Sequence, residues 1–377
     1  MSEHAKICDV LVVGAGIAGA SAAAELAAGG ASVVLAEMES EPGYHTTGRS
    51  AATFVASYGN ELIRAINVVS RPFFDSPPTG FSEYPLLAPR GALFVAAADR
   101  ADDIERALAD PANAGLLERL DTKAALNLSP ALRPEVAALA AYEAAAADID
   151  VNALLQGYLR QFKSDGGRLV PRAPVTGLLR RAGVWQVETP AGAFSTPVVV
   201  NAAGAWADDI AALAGTQPIG LVPKRRTALT IDPGLDFRRW PLTISADESW
   251  YFRPEGGDLL ISPADQTPSA PCDAQPDEMD IAFCIERIQN VTTMKVDRPV
   301  SKRAGLRCFV YDKSPVAGFA TDVEGFFWLA GQGGYGIQTA PALAAFTRGL
   351  ILKGEVPPEL AERGLDVAAL SPARLSV

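Results

Sequence analysis

Two hydrophobic patterns divide the chain. Unbroken apolar runs rich in β-branched or aromatic residues occur at Val10-Leu11-Val12-Val13, Val33-Val34-Leu35, Val198-Val199-Val200 and Phe326-Phe327-Trp328-Leu329-Ala330. Runs this short read as strands buried on both faces, as in a sheet covered by helices. Elsewhere apolar and polar residues alternate. Gly183 to Thr189 alternates ahead of a Pro190-Ala191-Gly192 turn, which predicts a meander. Thr227 to Ile261 alternates in short strands around Trp250-Tyr251-Phe252, with a turn at Arg253-Pro254-Glu255-Gly256-Gly257, and predicts an antiparallel sheet in a second domain.

Helical patterns fill the intervals. Small residues predict helices over Ala20 to Ala28 and Ala340 to Leu352, and an amphipathic pattern ends at Phe162. Asp148 and Asp150 open that last helix, where capping and dipole complementation are the expected roles, although paired carboxylates also admit acid/base chemistry. Ala101 to Ala147 is alanine-rich and reads as helical scaffold broken at Pro111, Pro130 and Pro134. Pro72 to Pro89, with a turn at Pro77-Pro78-Thr79-Gly80, reads as a crossing between domains that precedes a strand from Leu93 to Ala98.

The first buried run leads into Gly14-Ala15-Gly16-Ile17-Ala18-Gly19, and Glu37 follows the second run. Gly14 permits a tight turn, Gly16 lets the backbone approach a pyrophosphate, and Gly19 lets the helix pack closely on the sheet. Glu37 is placed to accept both hydroxyls of a ribose and to repel a 2′-phosphate. This context is a dinucleotide clamp, open at this point to either NAD or FAD. A membrane span is disfavoured by five glycines and the lack of a basic flank, and a secretory signal by Glu3 and Asp9, so a cytoplasmic protein is expected.

Composition narrows the chemistry. The 377 residues carry a formal net charge of -11, which disfavours nucleic acid and anionic membrane surfaces and leaves only short basic groups at Arg180-Arg181 and Lys224-Arg225-Arg226. Cys8, Cys272, Cys284 and Cys308 lack CxxC spacing, so neither a zinc site nor a redox pair is expected. The two histidines are His4 and His45, too few for a histidine-based metal centre or triad, and no metal is predicted.

Three further segments suit a cofactor. Glu41 to Ala52 reads as a loop running into a helix, with Ser50 or Thr47 placed to cap it and Arg49 placed to meet a pyrophosphate or flavin edge. Asn201-Ala202-Ala203-Gly204-Ala205-Trp206 is a small-residue turn at a strand's carboxyl end, and Gly331 to Thr339 is a second glycine-rich turn from strand to helix.

The N-terminal clamp, the Gly48-Arg49-Ser50-Ala51-Ala52 segment and these two turns, with Gly305-Leu306-Arg307 as a fifth motif, resemble in type and order the FAD-dependent D-amino-acid oxidase superfamily, and within it the bacterial D-arginine dehydrogenase group. The resemblance runs from Asp9 to Leu370-Ser371-Pro372. It implies an α/β fold: a Rossmann-like FAD domain built from residues 1–85, 146–222 and 305–377, and an α+β substrate domain around a mixed sheet from 86–145 and 223–304. FAD would be held non-covalently by Gly14, Gly16, Ile17, Ala18, Gly19, Glu37, Gly48, Arg49, Ser50, Ala51, Ala52, Val175, Ala203, Gly204, Trp206, Gly305, Arg307, Gly331, Gly333, Gly334, Tyr335, Gly336, Ile337 and Gln338. Arg226, Tyr251 and Arg307 would grip a substrate carboxylate, Tyr58 and Gln338 would line the substrate site, and the Gly334 carbonyl would receive the amino group. The implied reaction is oxidative deamination of a free D-amino acid, with oxygen or a quinone-type carrier as acceptor.

The chain departs from that pattern at three positions. Ala92 stands where relatives that take cationic substrates carry a carboxylate, and Thr53 stands where a histidine is expected near the flavin. With Val55, Leu242 and Ile244 adding small or apolar wall, neutral or apolar D-amino acids are expected over D-arginine or D-lysine. Cys308 lies near the position at which sarcosine-oxidase relatives attach flavin covalently, whereas an inert buried thiol and a non-covalent flavin are the expectation here. A secondary amine oxidase of sarcosine or proline type, a non-catalytic flavin-binding assembly factor and an NAD-dependent dehydrogenase are the competing readings.

Overall fold

The computed structural model describes residues 5–375, and His4 lies outside them. A six-stranded sheet holds the strands in the order Arg168–Val170, Val33–Ala36, Val10–Val13, Val198–Asn201, Phe326–Ala330 and Val316–Phe319. The first five are mutually parallel and the last is antiparallel. The unbroken apolar runs follow from this arrangement: Val10 and Val12 face one core while Leu11 and Val13 face another. On the first side lie the helices Ile17–Ala28, Val151–Ser164 and Gly336–Lys353. On the second lies the predicted meander, whose Trp185, Val187 and Phe194 complete the other core. Truncating Leu11 to Ala there would cost about 2–5 kcal/mol.

The glycine clamp is a packing device as well as a binding one. Gly14 has a φ of +96°, and a Cβ on Gly19 would stand 1.9 Å from the Gly14 carbonyl oxygen. Only glycine lets this helix begin so close to the strand.

A second, mixed sheet carries the alternating strands. Val222–Ile231, Asp258–Ser262, Tyr251–Glu255 and Leu242–Ser245 are antiparallel neighbours, and Leu242–Ser245 then pairs in parallel with Ala92–Ala96. Leu139–Glu143 follows antiparallel to Ala92–Ala96, placing Glu143 opposite Ala92. Ser301–Phe309 pairs with Val222–Ile231 and runs unbroken across residues 304 and 305, carrying Arg307 from this sheet toward the cofactor side.

Several local expectations fail for identifiable reasons. Between Ala101 and Ala147 only Ala101–Ala109 and Thr122–Leu128 are α-helical, whereas Glu118–Leu120 and Leu139–Glu143 are strands. Ala140 and Ala141 are fully buried, so close packing within the sheet overrides alanine's helix propensity. Asp150 does cap its helix, accepting from the Ala153 N–H at 2.8 Å. Asp148, by contrast, sits on the strand Ala147–Ile149 and pairs with Arg90 at 2.7 Å and with Arg253. Pro72 falls in the last turn of the helix Glu61–Asp75 rather than in a crossing. The segment ending at Ala52 enters the short strand Thr53–Phe54, not a helix, and Thr47 Oγ1 accepts instead from the Ile17 N–H at 3.0 Å.

Candidate active site

Three adjoining compartments of about 1040, 1000 and 750 Å³ form a trough between the two sheets. Gly16, Ala202 and Gly204 line both of the first two, and Arg226, Tyr251, Arg307 and Gly334 line both of the last two.

The first compartment contains Gly14, Glu37, Val175, Ala203 and Trp206, as the ribose and adenine side of a dinucleotide requires. Glu37 is buried, and its two carboxylate oxygens accept from the Ala15 N–H at 2.7 Å and the Glu39 N–H at 2.9 Å. Each oxygen keeps a second lone pair for a ribose hydroxyl. His45 also lines this space, between the rings of Tyr44 and Trp206, and sequence reasoning had set it aside. Its proximity to Trp206 is a tertiary contact without a local motif.

The central compartment is lined by Gly16, Ile17, Ala18, Arg49, Ser50, Ala51, Gly305, Gly333 and Gly336. The helix Gly336–Lys353 begins at its wall with no side-chain cap, so its free N–H groups and dipole favour negative charge there. A Cβ on Gly334 would stand 2.9 Å from the Arg307 guanidinium, which explains the glycine at the point of closest approach. The residues therefore fit FAD: a carboxylate for the ribose at one end, glycine backbone in the middle and an uncapped helix at the other. Arg49 lines the wall, but its guanidinium is held by Asp273 and donates to the carbonyls of Ala274 and Ala304. Gly19, Gly48, Gly331 and Tyr335 stand behind the walls, while Ala52 lines the third compartment.

That compartment brings together all six proposed substrate residues, Tyr58, Arg226, Tyr251, Arg307, Gly334 and Gln338. Among the described residues no carboxylate forms an ion pair with Arg226 or Arg307, so neither belongs to a surface salt bridge. Arg226 donates through Nε to the Asp265 carbonyl at 2.9 Å, and its guanidinium lies 5.9 Å from the Tyr251 ring centroid. Burial and then the Arg307 charge lower the pKa of Arg226. Burial alone would raise the Tyr251 hydroxyl, but Arg307 and Arg226 outweigh it and bring the pKa below its ordinary value. Two unpaired guanidinium groups and a tyrosine of depressed pKa make a site for an anion. Gln338 accepts from the Val55 N–H at 3.2 Å through Oε1, leaving its buried Nε2 without a protein partner.

The remaining wall is apolar: Val55, Phe94, Leu242, Ile244 and Trp250. Thr53 lines it as well, whereas Ala92 is buried behind it beside Tyr251 and Leu260. One charged residue here escaped sequence reasoning. Glu248, at a φ of +55° in the turn after Leu242–Ser245, is exposed at the wall and accepts from the Tyr58 hydroxyl at 3.0 Å. Nothing in Ala246-Asp247-Glu248-Ser249 distinguishes it from an ordinary turn acid. Cys308 lines the central compartment, and burial pushes its thiol up to about 12.

No helix among the described residues is long and apolar enough to cross a membrane. Among these residues there is also no group of three or more side chains suited to hold a metal ion.

Comparison with known proteins supports the cofactor assignment. Human mitochondrial dimethylglycine dehydrogenase is 28% identical over 239 residues, which cover 57% of this chain and 27% of that protein. The match thus spans about a quarter of the relative's length. The fold is similar to that of L-proline dehydrogenase from P. horikoshii, with a TM-score of 0.85, 21% identity and coverage of 98% of both chains. Glycine oxidase from Geobacillus kaustophilus superposes with a TM-score of 0.85 at 21% identity, covering 98% of this chain and 99% of that one. The model of the DAO family, FAD dependent oxidoreductase, matches residues 9–349, and the chain belongs to that family.

Proposed function

We propose that this flavoenzyme oxidises the carbon–nitrogen bond of a free amino acid, with neutral or apolar D-amino acids as substrates. The carrying observation is the pair of unpaired guanidinium groups, Arg226 and Arg307, beside Tyr251 in an apolar compartment continuous with the cofactor trough. Held along the trough by Gly14, Gly16, Glu37, Ser50 and Ala51, FAD would supply the oxidising power for removal of a hydride from the substrate α-carbon. Arg226 and Arg307 hold the carboxylate, Tyr251 adds a hydroxyl, and the Gly334 carbonyl and the Gln338 amide orient the amine end. The uncapped N-terminus of Gly336–Lys353 favours the negative charge that accumulates during the reaction. No side-chain base is required if the amine arrives neutral, and the imino acid product hydrolyses in water to a 2-oxo acid and ammonia.

A second reading is oxidation of an N-alkyl or cyclic amino acid. It is favoured by the relatives named for dimethylglycine and proline, and by an iminodiacetate oxidase with a TM-score of 0.80 at 23% identity. The same carboxylate grip serves both readings, and it has no purpose in an assembly factor that merely binds flavin. Anaerobic bleaching of the flavin by D-, L- and N-methyl amino acids in turn, followed by admission of air, decides among them. D-Amino acids should bleach fastest, and preferential bleaching by N-methyl amino acids would overturn the first reading. The rate of recovery in air separates oxygen from a quinone-type acceptor.

A further inference from the structure

Glu143 is a buried carboxylate that the proposed chemistry does not use. It lies on the strand Leu139–Glu143 with no exposed surface. Every hydrogen bond that its carboxylate makes among the described residues comes from one turn: the Ala56 N–H at 2.7 Å, the Ser57 N–H at 3.1 Å and the Ser57 hydroxyl at 2.6 Å. A buried carboxylate without an ion pair is costly unless its acceptors are filled, and here a single two-residue turn fills them.

That turn occupies a decisive place. Val55 before it donates to Gln338, and Tyr58 after it lines the substrate compartment. Gln338 therefore holds one end of the segment from the cofactor side, and Glu143 holds its middle from the mixed sheet. Because Glu143 is the register partner of Ala92, a carboxylate exists one strand away from the position where the cationic-substrate pattern has one. Its oxygens are committed to backbone.

We infer that Glu143 is a positioning residue: it sets the Ala56–Ser57 turn and thereby holds Tyr58 in the substrate wall. The inference rests on the reading of the third compartment as the substrate site. It assigns Glu143 an effect on substrate affinity that is transmitted through Tyr58.

The test uses the FAD-loaded enzyme and the amino acid that bleaches its flavin fastest. Glu143→Gln should raise the half-saturating concentration in anaerobic reduction about tenfold and change the limiting rate less than twofold. In a Tyr58→Phe background the same substitution should have no further effect. Ser57→Ala retains the charge and both N–H donors, so it should raise the concentration about twofold and serves if the glutamine variant does not fold. Unchanged affinity in both variants, or an equal loss from Glu143→Gln with and without the Tyr58 hydroxyl, would overturn the inference. If no amino acid bleaches the flavin, the substrate reading fails by itself. Amide hydrogen exchange then judges the anchor: faster exchange at Ala56 and Ser57 in either variant supports it, and unchanged exchange removes it.

Discussion

The Tyr58 hydroxyl donates to the Glu248 carboxylate over 3.0 Å, joining segments 190 residues apart at the wall of the substrate compartment. Burial raises the Tyr58 pKa, so the hydroxyl remains a donor throughout the physiological range. Tyr58→Phe removes one hydrogen bond to a charged acceptor, worth about 1.5 kcal/mol at most for a group as exposed as Glu248. The half-saturating substrate concentration should rise about threefold to tenfold, with flavin content unchanged. Steady-state kinetics showing an unaltered KM would contradict a role for this hydroxyl in substrate retention.

Arg226 and Arg307 should both carry function, and Arg226 should trade it against stability. Replacing either guanidinium with Met removes half of a bidentate carboxylate site and should lower kcat/KM by at least about 100-fold. At Arg226 the same change removes a charge that burial first and then Arg307 disfavour, as its lowered pKa records, whereas the neighbours of Arg307, Tyr251 foremost, outweigh burial and raise its pKa. Thermal unfolding of the flavin-loaded Arg226→Met variant should therefore occur no earlier than in the parent. A fall of many degrees would show that Arg226 mainly supports the fold.

The depressed Tyr251 pKa predicts weaker binding of anions at alkaline pH. Tyr251 loses its proton below the usual value of about 10. A bound carboxylate favours the neutral phenol over the tyrosinate, so binding takes up a proton and affinity falls as pH rises through that ionisation. For stability the direction reverses: a depressed acid pKa contributes most above the unfolded value and loses that contribution as pH falls through the folded one. Titrating the flavin spectrum with benzoate, which lacks an amine, isolates the effect. Tyr251→Phe should abolish this alkaline loss.

Much of the cofactor side could be read from sequence because its determinants are local. Gly14, Gly16 and Gly19 lie within six residues at the strand-to-helix junction, and Glu37 directly follows the next strand. Local context marked Arg226 and Arg307 as candidate carboxylate ligands, but their joining in one site came from resemblance, since they lie on adjacent antiparallel strands whose pairing no short motif reveals. Glu248 and Glu143 were invisible for the same reason, their partners Tyr58 and Ser57 lying far away in sequence. Alanine content misled over Ala101 to Ala147, where burial decided the outcome.

Cys308 should not hold the flavin. Its thiol lines the central compartment, yet burial pushes it up to about 12 and leaves thiolate scarce at neutral pH. The thiolate is the nucleophile, so attack on the flavin is disfavoured. Acid precipitation should give a colourless pellet and a yellow supernatant. Colour that persists in the pellet and disappears in Cys308→Ser would establish the covalent bond.

Substrate side chains should be selected by desolvation. Val55, Phe94, Leu242, Ile244 and Trp250 surround the compartment, and Ala92 contributes no charge behind them. Glu143, next to Ala92 across the strands, has its oxygens filled by the Ala56–Ser57 turn, so it cannot receive a guanidinium without releasing that turn. Glu248 is exposed, where water screens its attraction for a cation. An aliphatic side chain gains about 1.5–3 kcal/mol from burial in such a space, whereas a guanidinium must shed its hydration without a buried partner. D-Leucine should therefore exceed D-arginine in kcat/KM by at least about tenfold, measured by initial rates of flavin-dependent dye reduction. Equal values would mean that the long cation reaches Glu248 or open solvent, and Glu248→Gln would then depress D-arginine turnover selectively.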